Sequence, residues 1–125
     1  MTYIASTWPE VIADLESLAS QGTDNPWAAP LLGFAKMVSA SKYKRVFHPS
    51  LSALTQRLFL TQTKEYEPGR GVLCIQAGSE LEFMYQDSGI EEQWWRRHCP
   101  PDGSFALLEK AVDQLHLLVR YGQDT

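Results

Sequence analysis

A chain of 125 residues with 44% apolar and 21% charged side chains has the size and composition of one globular domain, 1–125, that buries its core without cross-links. A net charge of −4 argues against nonspecific nucleic-acid binding and permits a basic partner. No charged-then-apolar leader and no apolar run of about 18–20 residues, the length a bilayer demands, is visible, so a cytoplasmic location with no membrane partner is expected.

Thr7-Trp8-Pro9-Glu10 has the form of a capping box: the Thr7 hydroxyl accepts from the third helical amide and Glu10 reaches back to the cap. Val11, Ile12, Leu15, Leu18 and Ala19 follow at helical spacing, with Gly22 placed to end the helix. A second helix is expected to start near Asn25 or Ala28 and run through Leu31, Leu32, Phe34, Ala35 and Val38, Pro30 being tolerable only in its first turn.

After Ser41 the pattern changes. Tyr43, Val46 and Phe47 suggest a short extended piece that stops at His48-Pro49, where a turn or cap is expected. Arg57 to Lys64 reads as a strand, and Glu67-Pro68-Gly69-Arg70 as a type II turn. Val72 to Ala77 is apolar on both faces and therefore a central strand. Gly78-Ser79 fits a two-residue hairpin loop of a primed type. Leu81, Phe83 and Tyr85 alternate with Glu82, Met84 and Gln86, as a half-buried strand does. Asp87-Ser88-Gly89 turns the chain into an edge strand over Gln93 to Arg97. Pro100-Pro101-Asp102-Gly103 breaks the pattern, and Asp102 or Ser104 caps a closing helix whose apolar stripe runs from Phe105 through Leu108, Ala111, Val112 and Leu115 to Val119. Two helices, an antiparallel meander of three to four strands and a carboxy-terminal amphipathic helix packed on the sheet make an α+β fold.

Charge is unevenly spread. Lys42, Lys44, Arg45, Arg57 and Lys64 stand in a stretch without acids, whereas Glu65, Glu67, Glu80, Glu82, Asp87, Glu91 and Glu92 follow with only Arg70 to oppose them. The two blocks either pair across neighbouring strands or leave a functional acidic face.

No catalytic or metal-binding set and no cofactor motif emerges. His48 with Ser50 and Ser52 invites a nucleophile-and-base reading, but no orienting carboxylate follows. His98, Cys99 and Cys74 lack ligand spacing. Cys74 and Cys99, the only cysteines, fit a reducing compartment, with one disulfide left open. Gly69-Arg70-Gly71 has neither the spacing nor the following helix of a phosphate-binding loop. The most unusual stretch is Glu91-Glu92-Gln93-Trp94-Trp95-Arg96-Arg97, because tryptophan and arginine are enriched at binding hot spots. On a strand Trp94 and Trp95 point to opposite faces, so at most one serves the core.

The whole-chain pattern resembles the immunity proteins of contact-dependent inhibition and related polymorphic toxin systems, small bacterial proteins found beside secreted toxins. The resemblance runs through Thr7-Trp8-Pro9-Glu10-Val11, the leucine-rich second helix, Val46-Phe47-His48-Pro49-Ser50-Leu51-Ser52-Ala53-Leu54 leading into a strand, the meander and the closing helix. It implies a non-enzymatic toxin inhibitor that occludes the active site, or an adjacent surface, of a toxin carboxy-terminal domain such as a basic nuclease, with no cofactor and no direct nucleic-acid contact. Under that reading Tyr85, Trp94 and Trp95 are the expected anchors, and Glu80, Glu82, Asp87, Glu91 and Glu92 supply the electrostatics. A secretion chaperone or adaptor for an effector, and a small enzyme using His48, are the alternatives.

Overall fold

The computed structural model describes residues 3–21, 25–66, 70–87 and 94–114, and the backbone alone of Arg70, Gln86, Asp87 and Trp94. Helix α1 (Trp8–Ala19) opens with the expected reciprocal cap: Glu10 N donates to Thr7 Oγ1 at 3.4 Å and Thr7 N to Glu10 Oε1 at 3.2 Å. It ends at Ala19 with Ser20 as cap; Gly22, expected to stop it, lies outside the described residues. Helix α2 (Ala28–Ser39) carries Pro30 in its first turn, where the missing N–H costs no helical bond.

Lys42–Arg45 forms a 3-10 turn, not the extended piece expected there. The Trp8 indole N–H explains the difference, donating to the carbonyls of Lys44 at 3.2 Å and Phe47 at 3.1 Å and tying the turn to the head of α1. The chain becomes extended one residue later, at His48. That corrects the expected turn at His48-Pro49, because strand β2 (His48–Ser52) runs straight through Pro49. A proline is admissible there because β2 lies at the sheet edge, where its missing donor breaks no ladder bond.

Strands β3 (Arg57–Thr61), β5 (Arg70–Ala77), β6 (Leu81–Asp87) and β7 (Trp94–Cys99) complete a five-stranded antiparallel sheet in the order β2-β3-β5-β6-β7. A separate two-stranded sheet pairs β1 (Tyr3–Ile4) with β4 (Glu65–Tyr66). The fold is α+β as expected, with one more meander strand than the largest number read from sequence.

Three connections differ in detail or fall outside view. Ala77 pairs with Leu81, so the β5–β6 loop has three residues, and Gly78 does not take the left-handed backbone a primed two-residue turn requires. Residues 67–69 and 88–93, which hold two of the expected turns, lie outside the described residues. Gly71 does take a positive φ of 67°, at a bulge between Arg70 and Val72 where only glycine is unstrained. The closing helix α3 (Ser104–Gln114) follows a 3-10 turn at Pro101–Gly103.

Alternation decides the layers. Leu58 and Leu60, Leu73 and Ile75, Leu81, Phe83 and Tyr85, and Trp95 all project to one face and are buried. Against them pack Val11 and Leu15 of α1, Leu31, Phe34, Ala35 and Val38 of α2, and Leu107, Leu108, Ala111 and Val112 of α3. Phe34 meets Phe83 edge-on at 5.4 Å, a preferred geometry for aromatic pairs. Helices α1, α2 and α3 all pack into the core on this inner face, and no described helix covers the outer face.

Candidate functional site

Outward-facing positions of the sheet come from the other half of each strand's alternation: Ser50 and Ser52 on β2, Arg57 and Phe59 on β3, Val72 and Cys74 on β5, Met84 on β6. The register lines up Ser50 with Phe59, Phe59 with Cys74, and Cys74 with Met84, giving one row across four strands. The small β1–β4 sheet rises beside this row. Ala5 N donates to Lys64 O and Ser6 N to Pro49 O, both at 2.8 Å, which ties β1 to β4 and to the β2 edge. Tyr3 and Tyr66 face each other with ring centroids 5.9 Å apart.

Between these parts lies a half-open groove of about 540 Å³, within the range of ligand- or side-chain-accepting clefts. Its floor is Phe59, Val72, Cys74 and Met84; Ser50, Ser52 and Arg57 form one wall, and Tyr3 with Tyr66 the lip. Of the described lining residues Arg57 alone is charged and none is an acid. Among the described residues Arg57 Nε and Ser50 Oγ are buried without a hydrogen-bond partner, a cost a guest could relieve. Burial drives the Cys74 thiol up to about 11, opposed by Arg57 and reinforced by Glu82, so it is protonated and a poor nucleophile at neutral pH. His48 is held below its ordinary value by burial and then by the Lys64 ammonium. The charge facing His48 is thus a cation, not the carboxylate that a base in a catalytic triad needs.

The segments that build the groove also carry exposed apolar side chains. Tyr3 is 46% exposed, Ile4 68% and Leu54 95%. Leu54 sits in the β2–β3 turn between the groove residues Ser52 and Arg57. Three of the four exposed large apolar side chains among the described residues therefore belong to the segments that build this groove.

The residues expected from sequence to meet a partner are distributed differently. Tyr85 and Trp95 are in the core, 1% and 7% exposed, so neither is a surface anchor. They pair on the inner face, where Trp95 Nε1 donates to Gln114 Oε1 at 2.8 Å and the Arg97 guanidinium lies 5.3 Å from its ring. Trp94 sits opposite Gln86, but its side chain is outside the described ones, as is that of Asp87. Glu91 and Glu92 lie wholly outside. Glu80 and Glu82 do come together, in a shallow recess of about 360 Å³ with Gln76 and His98 at the β5–β6 end of the sheet. Both have partners there: Glu82 pairs with Arg96 at 3.0 Å, and His98 Nδ1 approaches Glu80 at 3.6 Å. Glu82 thus pairs with Arg96 of β7, a residue outside the basic stretch that the sequence sets beside the acidic block.

Cys74 faces outward on β5 and Cys99 inward on β7, with β6 between them. Two strand spacings of about 4.8 Å put them beyond the roughly 7 Å that a disulfide can span. His98, Cys99 and Cys74 do not converge, and among the described residues no group of three or more potential ligands is placed to hold a metal ion. No described helix is long and apolar enough to cross a membrane.

Sequence reasoning missed the groove, although Arg57, Phe59 and Met84 were legible as strand residues. The available signal was the lone arginine among apolar neighbours in Arg57-Leu58-Phe59-Leu60. Comparison with known proteins yields no matching family model, curated protein or solved structure.

Proposed function

We propose that this chain is a binding protein acting by stoichiometric capture, in the manner of the bacterial immunity proteins its sequence resembles. The partner is the carboxy-terminal domain of a secreted toxin, held in the cytoplasm with its active site or an adjacent surface covered. The observation that carries the reading is the apolar-framed groove on the sheet face that the helices leave open. Large apolar side chains grouped around a concavity cost solvation in the free protein and are a common mark of a protein-binding surface.

This reading moves the contact surface away from the acidic block. Tyr85 and Trp95 serve the core, and in the recess at Glu80 and Glu82 the Arg96 guanidinium offsets one of the two carboxylates. Affinity comes instead from apolar groups of the groove, with Tyr3 at its lip and Leu54 in the adjoining β2–β3 turn. Both belong to the described surface and support no core contact, so their replacement tests binding apart from folding.

The test is affinity recovery of tagged protein from its native genomic context, with mass spectrometry of what co-purifies. Stoichiometric recovery of a toxin domain is expected. Tyr3→Asp with Leu54→Asp should weaken capture roughly tenfold or more, as loss of about 1.5–2 kcal/mol of apolar anchoring implies. Recovery of no partner refutes capture, and undiminished binding by the double variant refutes this surface.

A further inference from the structure

The groove's chemistry is more selective than an apolar cleft. Val72 and Cys74 at its floor are 5% and 8% exposed, so an occupant must insert into the groove to reach them. Phe59 and Met84 beside them call for an apolar group. The wall calls for something else. Among the described residues Arg57 Nε and Ser50 Oγ are both buried and unpaired, and no described lining residue is an acid that answers the guanidinium. A guanidinium presents its Nε–H and an Nη–H as a planar fork, which matches the two oxygens of a carboxylate. The Ser50 hydroxyl can add a third donor to such a group. A neutral amide offers one acceptor oxygen and no charge. A dianion such as phosphate would leave charge uncompensated against one arginine and an apolar floor.

We propose that the groove takes an acidic side chain flanked by an apolar one on the captured partner. The carboxylate bonds to Arg57 and Ser50, and the apolar neighbour packs on Phe59 and Met84 inside the lip formed by Tyr3 and Tyr66. This rests on the capture reading and reverses the charge sense expected from sequence, since at this contact the partner supplies the acid.

The test uses the full chain and three dipeptide probes: acetyl-Asp-Phe-amide, acetyl-Asn-Phe-amide and acetyl-Lys-Phe-amide, each titrated while amide, arginine Nε–H and methionine methyl resonances are followed by NMR. The acidic probe should bind in the millimolar range, at least about tenfold more tightly than its amide counterpart, as a charge-assisted hydrogen bond implies. The lysine probe should bind least. Shifts should fall on Ser50, Phe59, Cys74 and Met84, and the Arg57 Nε–H should move only with the acidic probe. That last readout uses the unaltered protein, so it stands even where a variant folds poorly. Arg57→Gln should abolish the preference for acid over amide, and Ser50→Ala should reduce it. Equal binding of all three probes, no binding by any, or shifts centred on Glu80 and His98 overturns the proposal. So does a small carboxylate co-purifying in the groove by native mass spectrometry, which would reassign the site to a free ligand. Once the partner is in hand, capture unaffected by Arg57→Gln refutes the carboxylate contact and leaves capture standing. A wild-type chain that captures nothing refutes capture itself.

Discussion

Replacing Trp95 by phenylalanine separates a core tryptophan from a surface anchor. Phenylalanine keeps an aromatic ring but lacks the indole N–H, which donates to Gln114 Oε1 at 2.8 Å and links β7 to α3. A partly buried hydrogen bond contributes about 0.5–1.5 kcal/mol. The Arg97 guanidinium, 5.3 Å from the ring, loses part of an interaction of about 0.5–1 kcal/mol at an exposed cation. The smaller ring also leaves a void under a residue that is 7% exposed, costing about 1 kcal/mol more. The total is roughly 2–3 kcal/mol, and with a urea m-value of about 2 kcal/mol/M the midpoint should fall by about 1–1.5 M. Gln114→Met alone should cost less, and the double variant should show coupling of about 0.5–1.5 kcal/mol. Capture of a partner should persist under conditions where Trp95→Phe remains folded. An unchanged urea midpoint combined with lost capture would refute the inner-face assignment of β7.

Other outcomes follow from single side chains. Thr7→Ala removes half of the capping box and should destabilise the fold by about 0.5–2 kcal/mol, read as a lower urea midpoint; no change would mean that the reciprocal bonds at α1 carry nothing. Gln56 holds a left-handed φ of 60° in the β2–β3 turn, so Gln56→Gly should raise stability by about 0.5–1 kcal/mol, and a loss would show that its side chain outweighs the strain. Cys74, held at about 11 and 8% exposed, should resist iodoacetamide at neutral pH far longer than in the urea-unfolded chain; equal rates would place it outside the groove floor. His48 is held below its ordinary value of 6.5, so the folded state disfavours its proton. Above that value both states are neutral and nothing is lost; as pH falls through 6.5 the unfolded chain protonates first and stability declines until the folded value is passed. His48→Gln should flatten this part of the urea-midpoint profile between pH 7.5 and 5.5, and an equal slope in both proteins would assign the decline to other groups.

The surface chemistry departs from its linear arrangement for an electrostatic reason. From sequence the acidic block either pairs with the basic stretch across neighbouring strands or forms an acidic face, but antiparallel pairing sets β6 against β7. Glu82 then meets Arg96 diagonally and Glu80 approaches His98. Exposed pairs of this kind contribute at most about 1 kcal/mol to stability. The Glu82–Arg96 pair nevertheless removes part of the negative field that the sequence places there, while Arg57, counted within a diffuse cationic stretch, meets no acid among the described lining residues.

What was legible in the sequence lives at short range. The Thr7–Glu10 cap, the stripes of α1 and α2, and the alternation of Leu81, Phe83 and Tyr85 depend on residues within one or two turns of each other. The edge strand read over Gln93 to Arg97 overlaps β7 at Trp94–Cys99 for the same reason. Strand β2 was not, because proline normally ends local structure and only its place at a sheet edge makes Pro49 harmless. Strands β1 and β4 are two residues each, too short for any periodicity. Alternation likewise says that Trp94 and Trp95 diverge, but not which face of the sheet the helices will cover. That choice placed Tyr85 and Trp95 inside and left Arg57, Phe59 and Met84 outside. The groove needs Tyr3, Ser50, Arg57, Tyr66 and Met84 to meet from five strands, and their meeting is set by cross-strand register and by the return of the amino-terminal strand to Lys64. The chain's local pattern determined its elements, and long-range packing decided which of their faces became a site.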